Sequence, residues 1–365
     1  MRKLMVLALV SCFAAGGALG ETTTNFSIIA KLQQGPGNVT ATPSGRIIMS
    51  QHQFYAPQAS VVERRADGAI TPFPNRALND RSRRSGLTLD SVLGIRTDAE
   101  GVVWMLDNGM RSGVTPKLVG WDTRSDGLHR VIYLPEPVAP KNAFVNDFAV
   151  DSRHNRIFIV DPAGGANAAI IVVDLVTGAA RRVLEGHQSV VPEDIDLVID
   201  GRPIETKDAD GRLTRPRIGV NPVTEDLENE WLYYGPMHAT SLYRVKAADL
   251  ADESLDQNAL GAKVERYSAK PICDGATIDR AGNIYLGDLA QNAIGVIKPD
   301  RSYARLAQSA DLAWVDSLVF GPAGKLYAVV NQLHRSAALN GGTNWSKPPY
   351  LLIEVKALVE GMPGR

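Results

Sequence analysis

The stretch Ile272-Cys273-Asp274-Gly275-Ala276-Thr277-Ile278-Asp279-Arg280-Ala281-Gly282-Asn283-Ile284-Tyr285-Leu286-Gly287-Asp288 constrains the fold more than any other feature of the chain. Ala276, Ile278, Ile284 and Leu286 keep a period near two, the pattern of strands with one buried face. Between them Asp279 opens a tight turn and Gly282 closes it, because a short carboxylate can bond the turn amides and glycine accepts the backbone angles required. The unit is a β-hairpin with Asp274 and Asp288 at its outer ends.

This hairpin recurs. Asn146-Asp147-Phe148-Ala149-Val150-Asp151 with Ile157-Phe158-Ile159-Val160-Asp161 is one copy, and Gly94 to Gly101 with Val102-Val103-Trp104-Met105-Leu106-Asp107 is another. Three looser copies lie at residues 40–50 around Pro43-Ser44-Gly45, 218–235 around Asn221-Pro222, and 316–331 around Gly321-Pro322-Ala323-Gly324, making six units. With Pro43, Asp98, Asp151, Asn221, Asp279 and Gly321 as equivalent turn positions, successive steps are 55, 53, 70, 58 and 42 residues. A four-stranded propeller blade needs roughly 40 to 50 residues, so the spacing predicts an all-β, six-bladed β-propeller with loop insertions. Closure into a ring protects most strand edges and turns each blade's first strand toward a shared channel.

The 365 residues would suffice for two average domains, but six like units argue for one, spanning residues 21–365. Residues 1–20 read as a signal peptide: a basic Met1-Arg2-Lys3, an apolar run from Leu4 to Ala15, and small residues before Glu21. Leu9-Val10-Ser11-Cys12 also has the form of a lipoprotein box, but it lies early and is followed by more apolar residues, so anchoring at Cys12 is the lesser reading. A periplasmic or secreted location follows. After cleavage Cys273 is the one cysteine, so stability must come from the core and not from an internal disulfide. Formal charge is −1, or −3 once Arg2 and Lys3 are lost (37 basic against 40 acidic residues). Neither nucleic acid nor an anionic membrane is suggested as a partner. No other apolar run reaches the roughly 18 residues of a membrane span.

Along the chain, Phe26 to Leu32 is a strand expected to join Tyr350 to Val355 and complete the last blade. Residues 75–86, with Arg81, Arg83 and Arg84, read as a solvated loop. Residues 184–217 form the long insertion behind the 70-residue step, and 247–260 carry a helical pattern expected at the rim.

Several segments together resemble the major royal jelly protein and yellow family: Phe144-Val145-Asn146-Asp147 leading to Ile159-Val160-Asp161, His187 with Pro192 before Ile218-Gly219-Val220-Asn221-Pro222, Leu232-Tyr233-Tyr234-Gly235-Pro236 with Ser241-Leu242-Tyr243-Arg244-Val245, and Asn292-Ala293-Ile294. The resemblance runs from about Asp90 to Asn331. It implies a six-bladed propeller related in architecture to gluconolactonases and regucalcins.

Candidate site residues follow from the hairpin register. Five residues before each turn position lie Asn38, Leu93, Asn146, Pro216, Asp274 and Asp316, four of them short oxygen-bearing side chains. In the regucalcin and gluconolactonase group, a glutamate, asparagines and an aspartate at such positions hold a divalent metal, and Asn146 and Asp274 look like that asparagine and aspartate. The departures are Asn38 in place of the glutamate and Pro216 with no ligand, which leaves Asp316 as the second charge. Asn146, Asp274 and Asp316 are therefore the expected ligands of a divalent cation, calcium by its preference for oxygen. With metal present, Asp274 or Asp316 would take a proton from water attacking a lactone. The plainer alternative is that these side chains cap strand ends by bonding backbone amides.

The second reading, also implied by the resemblance, is a binder of an amine or aromatic ligand, or an isomerase of catechol-derived compounds. The aspartates would pair with an ammonium, while Trp314, placed by alternation on the side of Asp316, or Tyr243 would offer a π face. Packing between blades is the competing role for Trp314. His52 and His238 both follow second strands, where loops return toward the channel, and are candidate ligand contacts; a satisfied core histidine is the alternative for each. Gly-x-Ser-x-Gly, His-Glu-x-x-His, phosphate-loop and paired-cysteine motifs are absent from the sequence.

Overall fold

The computed structural model describes residues 25–83 and 85–365. The segment read as a signal peptide, including Cys12, and Arg84 lie outside the described residues.

Six four-stranded antiparallel sheets stand in a ring. Their inner strands are Pro36–Ala41, Val92–Thr97, Phe148–Asp151, Val220–Glu225, Ala276–Ile278 and Val315–Phe320, defining blades one to six. Phe26–Leu32 pairs with Tyr350–Val355 as the outermost strand of blade six, so the start and end of the chain share one sheet and close the ring as expected. Period-two patterning explains the packing: Phe148, Ile157, Ile159, Ile171 and Val173 of blade three face Trp104, Leu106 and Leu118 of blade two across one apolar layer.

The hairpin chemistry holds in detail. Asp279 Oδ1 accepts from the amides of Ala281 and Asn283 (both 2.9 Å), its Oδ2 accepts from Tyr285 (2.8 Å), and Gly282 has φ +81°. Asp98 repeats this with Val102 (2.8 Å) and Trp104 Nε1 (2.9 Å). The turn of blade four lies elsewhere than the spacing predicts. Asn221-Pro222 lies inside the inner strand of blade four, and the turn belongs to Asp226, whose carboxylate accepts from Glu230 (2.7 Å) and Trp231 (3.1 Å). A proline is tolerated there because the pairing shifts register between Val220 and Val223, at a bulge where the ladder needs no amide.

Residues 75–83, expected as a loop, contain the short helix Arg76–Asn79 and the turn Arg81–Arg83; Asn75 caps the helix by accepting from the Leu78 amide (3.0 Å). Two helices, Ala247–Ala251 and Gln257–Gly261, account for the helical pattern of blade four. Among the described residues no helix is long and apolar enough to cross a membrane.

The long insertion lies over one end of the ring. Its two small hairpins, Val198–Ile199 with Arg202–Pro203 and Thr206–Lys207 with Leu213–Thr214, follow Leu197. Leu197, Ile199 and Ile204 pack on Met237, Trp314, Leu333 and Leu339, and the Glu205 amide donates to Leu339 O (3.1 Å). Part of the channel mouth is roofed by this segment.

Candidate functional site

Under that roof lies a cavity of about 340 Å3. Asn38, Leu93, Asn146, Asn221, Asp274 and Asp316, one residue from each blade, reach it. Four inner strands shift register beside the site residue: between Pro36 and Val39, Val92 and Ile95, Val220 and Val223, and Val315 and Ser317. A bulge leaves one residue unpaired and re-aims its side chain. In blades three and five the regular strand starts only at Phe148 and Ala276, just after Asn146 and Asp274. Close approach of neighbouring strands is set by glycine: a Cβ on Gly275 would lie 2.4 Å from Asp316 O.

The side chains form a connected arc. Asn146 Nδ2 donates to Asn221 Oδ1, Asn221 Nδ2 donates to Asp274 Oδ1 (2.5 Å), and Trp314 Nε1 donates to Asp274 Oδ2 (2.7 Å). Asp316 Oδ2 accepts from Asn331 Nδ2 (2.5 Å). Removal from bulk water, opposed by the bonds from Trp314 and Asn221, raises the Asp274 carboxyl from 3.8 to about 7. Asp316 is pushed well above the usual carboxylate range, first by desolvation and then by the charge of Asp274. Two carboxyls that each disfavour the other's ionisation titrate as a pair.

Beneath the arc the channel is closed by a second polar layer. Arg96 Nη2 donates to Asp147 Oδ2 (2.8 Å) and Arg96 Nη1 to Asn38 Oδ1 (2.8 Å), while Ser317 Oγ donates to the same Asn38 oxygen (2.6 Å). Asn38 therefore lines the cavity with its oxygen already committed. Desolvation raises the Asp147 carboxyl despite the facing guanidinium.

The expected site residues fare differently. Asn38, Asn146, Asp274, Asp316, His52 and Trp314 all line the cavity, and His238 does not. His238 is wholly buried, with Nδ1 accepting from the Ile218 amide (3.2 Å); a loop from blade four tucks it behind the wall instead of returning it to the mouth. Tyr243 packs between blades three and four and offers no face to the channel. Trp314 arrives by a route other than alternation: its φ is +66°, so a left-handed turn before the strand swings the ring over Asp274. His52 accepts from the Phe54 amide at Nδ1 (3.2 Å) and burial lowers it to about 3, so it is a neutral ring with its hydrogen on Nε2. Pro216 lies at the wall, while the fourth inner-strand position belongs to Asn221. Counting five residues back from Asp226 reaches Asn221 by the rule that finds the other five. Asp147, Phe54 and Phe144 were also missed; no spacing rule selects them.

As a cation site the arc offers two carboxylates and the amide oxygen of Asn146, the Asn221 oxygen already accepting from Asn146 Nδ2. Among the described residues no group of three or more His, Cys, Asp and Glu is placed to hold a metal. The donors suit a hard cation in charge and chemistry, with water completing the six to eight oxygens that calcium takes.

A family model described as major royal jelly protein matches residues 90–361. Major royal jelly protein 1 of Apis mellifera is 21% identical over 250 residues, covering 65% of this chain and 54% of that protein. The chain thus spans about half the length of that curated relative. Among solved structures, a gluconolactonase from Xanthomonas campestris (TM-score 0.55, 12% identity, 93% of this chain and 92% of the other) and a calcium-binding regucalcin from Agrobacterium tumefaciens (TM-score 0.53, 14% identity, 94% and 96%) share the architecture. A luciferin-regenerating enzyme does too (TM-score 0.56, 13% identity, 94% and 97%). At such identities these likenesses show the fold alone. The family match covers most of the propeller, and the chain belongs to the major royal jelly protein family.

Proposed function

We propose that the upper channel is the active site of a small-molecule hydrolase of the lactone class. The observation that carries this reading is the Asp274–Asp316 pair, two carboxyls of raised pKa at the base of a roofed cavity. The shared architecture with gluconolactonase and regucalcin structures supports a divalent cation there, held by Asp274, Asp316 and Asn146 with Asn221 beside them. When bound, such a cation would polarise the lactone carbonyl and offset the negative charge on its oxygen.

The remaining work falls to the chain's own groups. Asp274 is held in place from both oxygens by Trp314 and Asn221. Among the described residues Asp316 Oδ1 has no hydrogen-bond partner, so in the ionised form of this carboxyl that oxygen is the base that takes the proton of the attacking water. The water oxygen bonds to the carbonyl carbon, the ring C–O bond breaks, the departing ring oxygen receives the proton, and a hydroxy acid is released. The roof and apolar walls limit competing water. Residues 1–20 support an exported location, which N-terminal sequencing of the mature protein would check.

The experiment is lactone hydrolysis followed by proton release, on metal-stripped protein and on protein reloaded with calcium. Asp316→Asn and Asp274→Asn are each expected to lower kcat by roughly 100-fold or more; activity retained in the double variant overturns the assignment. A second reading is favoured by the aromatic walls, Phe54, Phe144 and Trp314, around an acidic pair: an organic ammonium held by the carboxylates. A thermal shift with amines and none with calcium would select it.

A further inference from the structure

The cavity has a polar floor, largely apolar walls, and Lys141 and Asn142 at its exposed rim. The oxygen and nitrogen groups that reach it most deeply, Asn38, Asn146, Asp147, Asn221, Asp274 and Asp316, all come from inner-strand ends. The walls above them come from loops and are apolar: Phe54, Met110, Phe144, Ile218, Leu333 and Leu339. Half-exposed Met110 and exposed Lys141 and Asn142 mark the mouth. His52 and Thr206 are the polar side chains left along the wall, and the Nδ1 of His52 is already occupied by the Phe54 amide.

A polyhydroxylated sugar lactone carries a hydroxyl on almost every ring carbon. Each one buried without a partner costs free energy. These walls would leave most of them unpaired. A site rejects strongly what it cannot hydrogen-bond and gains from each methylene it takes out of water.

The geometry points to an amphipathic substrate: a small lactone head seated on the carboxylate and amide floor, with an unbranched or aromatic apolar body running along the Phe54, Ile218 and Leu339 walls toward Met110. This rests on the hydrolase reading for the chemistry of the head group, in which water adds to the carbonyl carbon and the ring oxygen leaves with a proton. The apolar body is argued from the walls alone.

The test uses γ-butyrolactones bearing short, medium and long alkyl chains beside glucono-δ-lactone, on the full-length mature protein loaded with calcium. Binding is read separately with the corresponding non-hydrolysable γ-lactams, by tryptophan fluorescence. The expected result is a rise in kcat/KM, and in lactam affinity, of roughly threefold to fourfold per methylene until the cavity is filled, with glucono-δ-lactone the poorest substrate. Met110→Gln, in the wall at the half-exposed mouth, should reduce kcat/KM and lactam affinity more for the long chain than for the short one. Preference for glucono-δ-lactone, or activity flat with chain length, overturns the inference and leaves the hydrolase standing. Lactam affinity that rises with chain length, without turnover of any lactone, overturns the hydrolase and leaves the apolar body standing. Lactam affinity that is flat, with no turnover, removes both.

Discussion

The two ends of the channel are built from the same six inner strands and treat charge in opposite ways. At the lower end, Glu225 is buried and its carboxyl is raised by desolvation and by Asp151, and residues 361–365 pack into the opening. Arg365 donates to Asp226 O (2.6 Å) and Val150 O (3.1 Å), lies 3.9 Å from Glu225, and leaves a residual space of only about 80 Å3. At the upper end two carboxyls face an open cavity with amides and an indole bonded to them, and among the described residues the cation that lines it, Lys141 at the exposed mouth, forms an ion pair with neither. Between the ends, Arg96 and Asp147 neutralise each other with side chains 6% exposed. Where the protein supplies its own counter-charge the channel is filled and structural. Among the described residues none is in contact with the upper pair, and a carboxylate pair without a contacting counter-charge is stable only with a proton, a cation or a cationic ligand.

The contrast can be broken at its most rigid point. Arg96→Met strands the Asp147 carboxyl in the sealed layer and should cost about 3 to 5 kcal/mol in denaturant unfolding; a cost near zero would mean that the layer is wet and the two ends are not separated. It can be sharpened at the upper pair by pH. The Asp274 carboxyl is raised in the folded state, so folding favours its protonated form. That stabilisation is complete below the unfolded value of 3.8 and is lost as pH rises through about 7. Asp274→Asn should remove the decline, with a gain above neutrality of at most about 4 kcal/mol and a smaller one in practice, because the amide cannot accept from both Trp314 and Asn221. An unchanged slope of melting temperature against pH in calcium-free buffer would show that Asp274 is not the group carrying the strain. The smallest effect belongs to the roof: Arg212 and Asp210 are paired at its exposed tip, with side chains 76% and 68% exposed. Arg212→Ala should change stability by less than about 0.5 kcal/mol, and a larger loss would make the roof a structural element comparable to the lower plug.

Much of this arrangement is legible in the hairpins. Asp98, Asp151 and Asp279 announce their turns, because an aspartate at that position makes bonds that few other residues make, and counting back five residues reaches Leu93, Asn146 and Asp274. The count went astray in blade four, where Asn-Pro has the composition of a turn and occupies a bulged strand instead. Turn chemistry is local, and bulges depend on what the neighbouring strand does. His238 and Tyr243 show the same limit: both follow or lie in blade-four strands, and nothing in their spacing says that one is sealed behind the wall and the other between blades.

By itself the sequence determined the repeat, the ring it must close and the level at which Asn146, Asp274 and Asp316 meet, since side-chain alternation and turn bonding act over a few residues. Only the tertiary structure decided that Arg96 and Asp147 divide the channel, that residues 195–217 roof one end and 361–365 fill the other, and that Trp314 bonds Asp274. Those contacts join segments far apart in the chain, and burial, which sets their charges, belongs to the assembled ring.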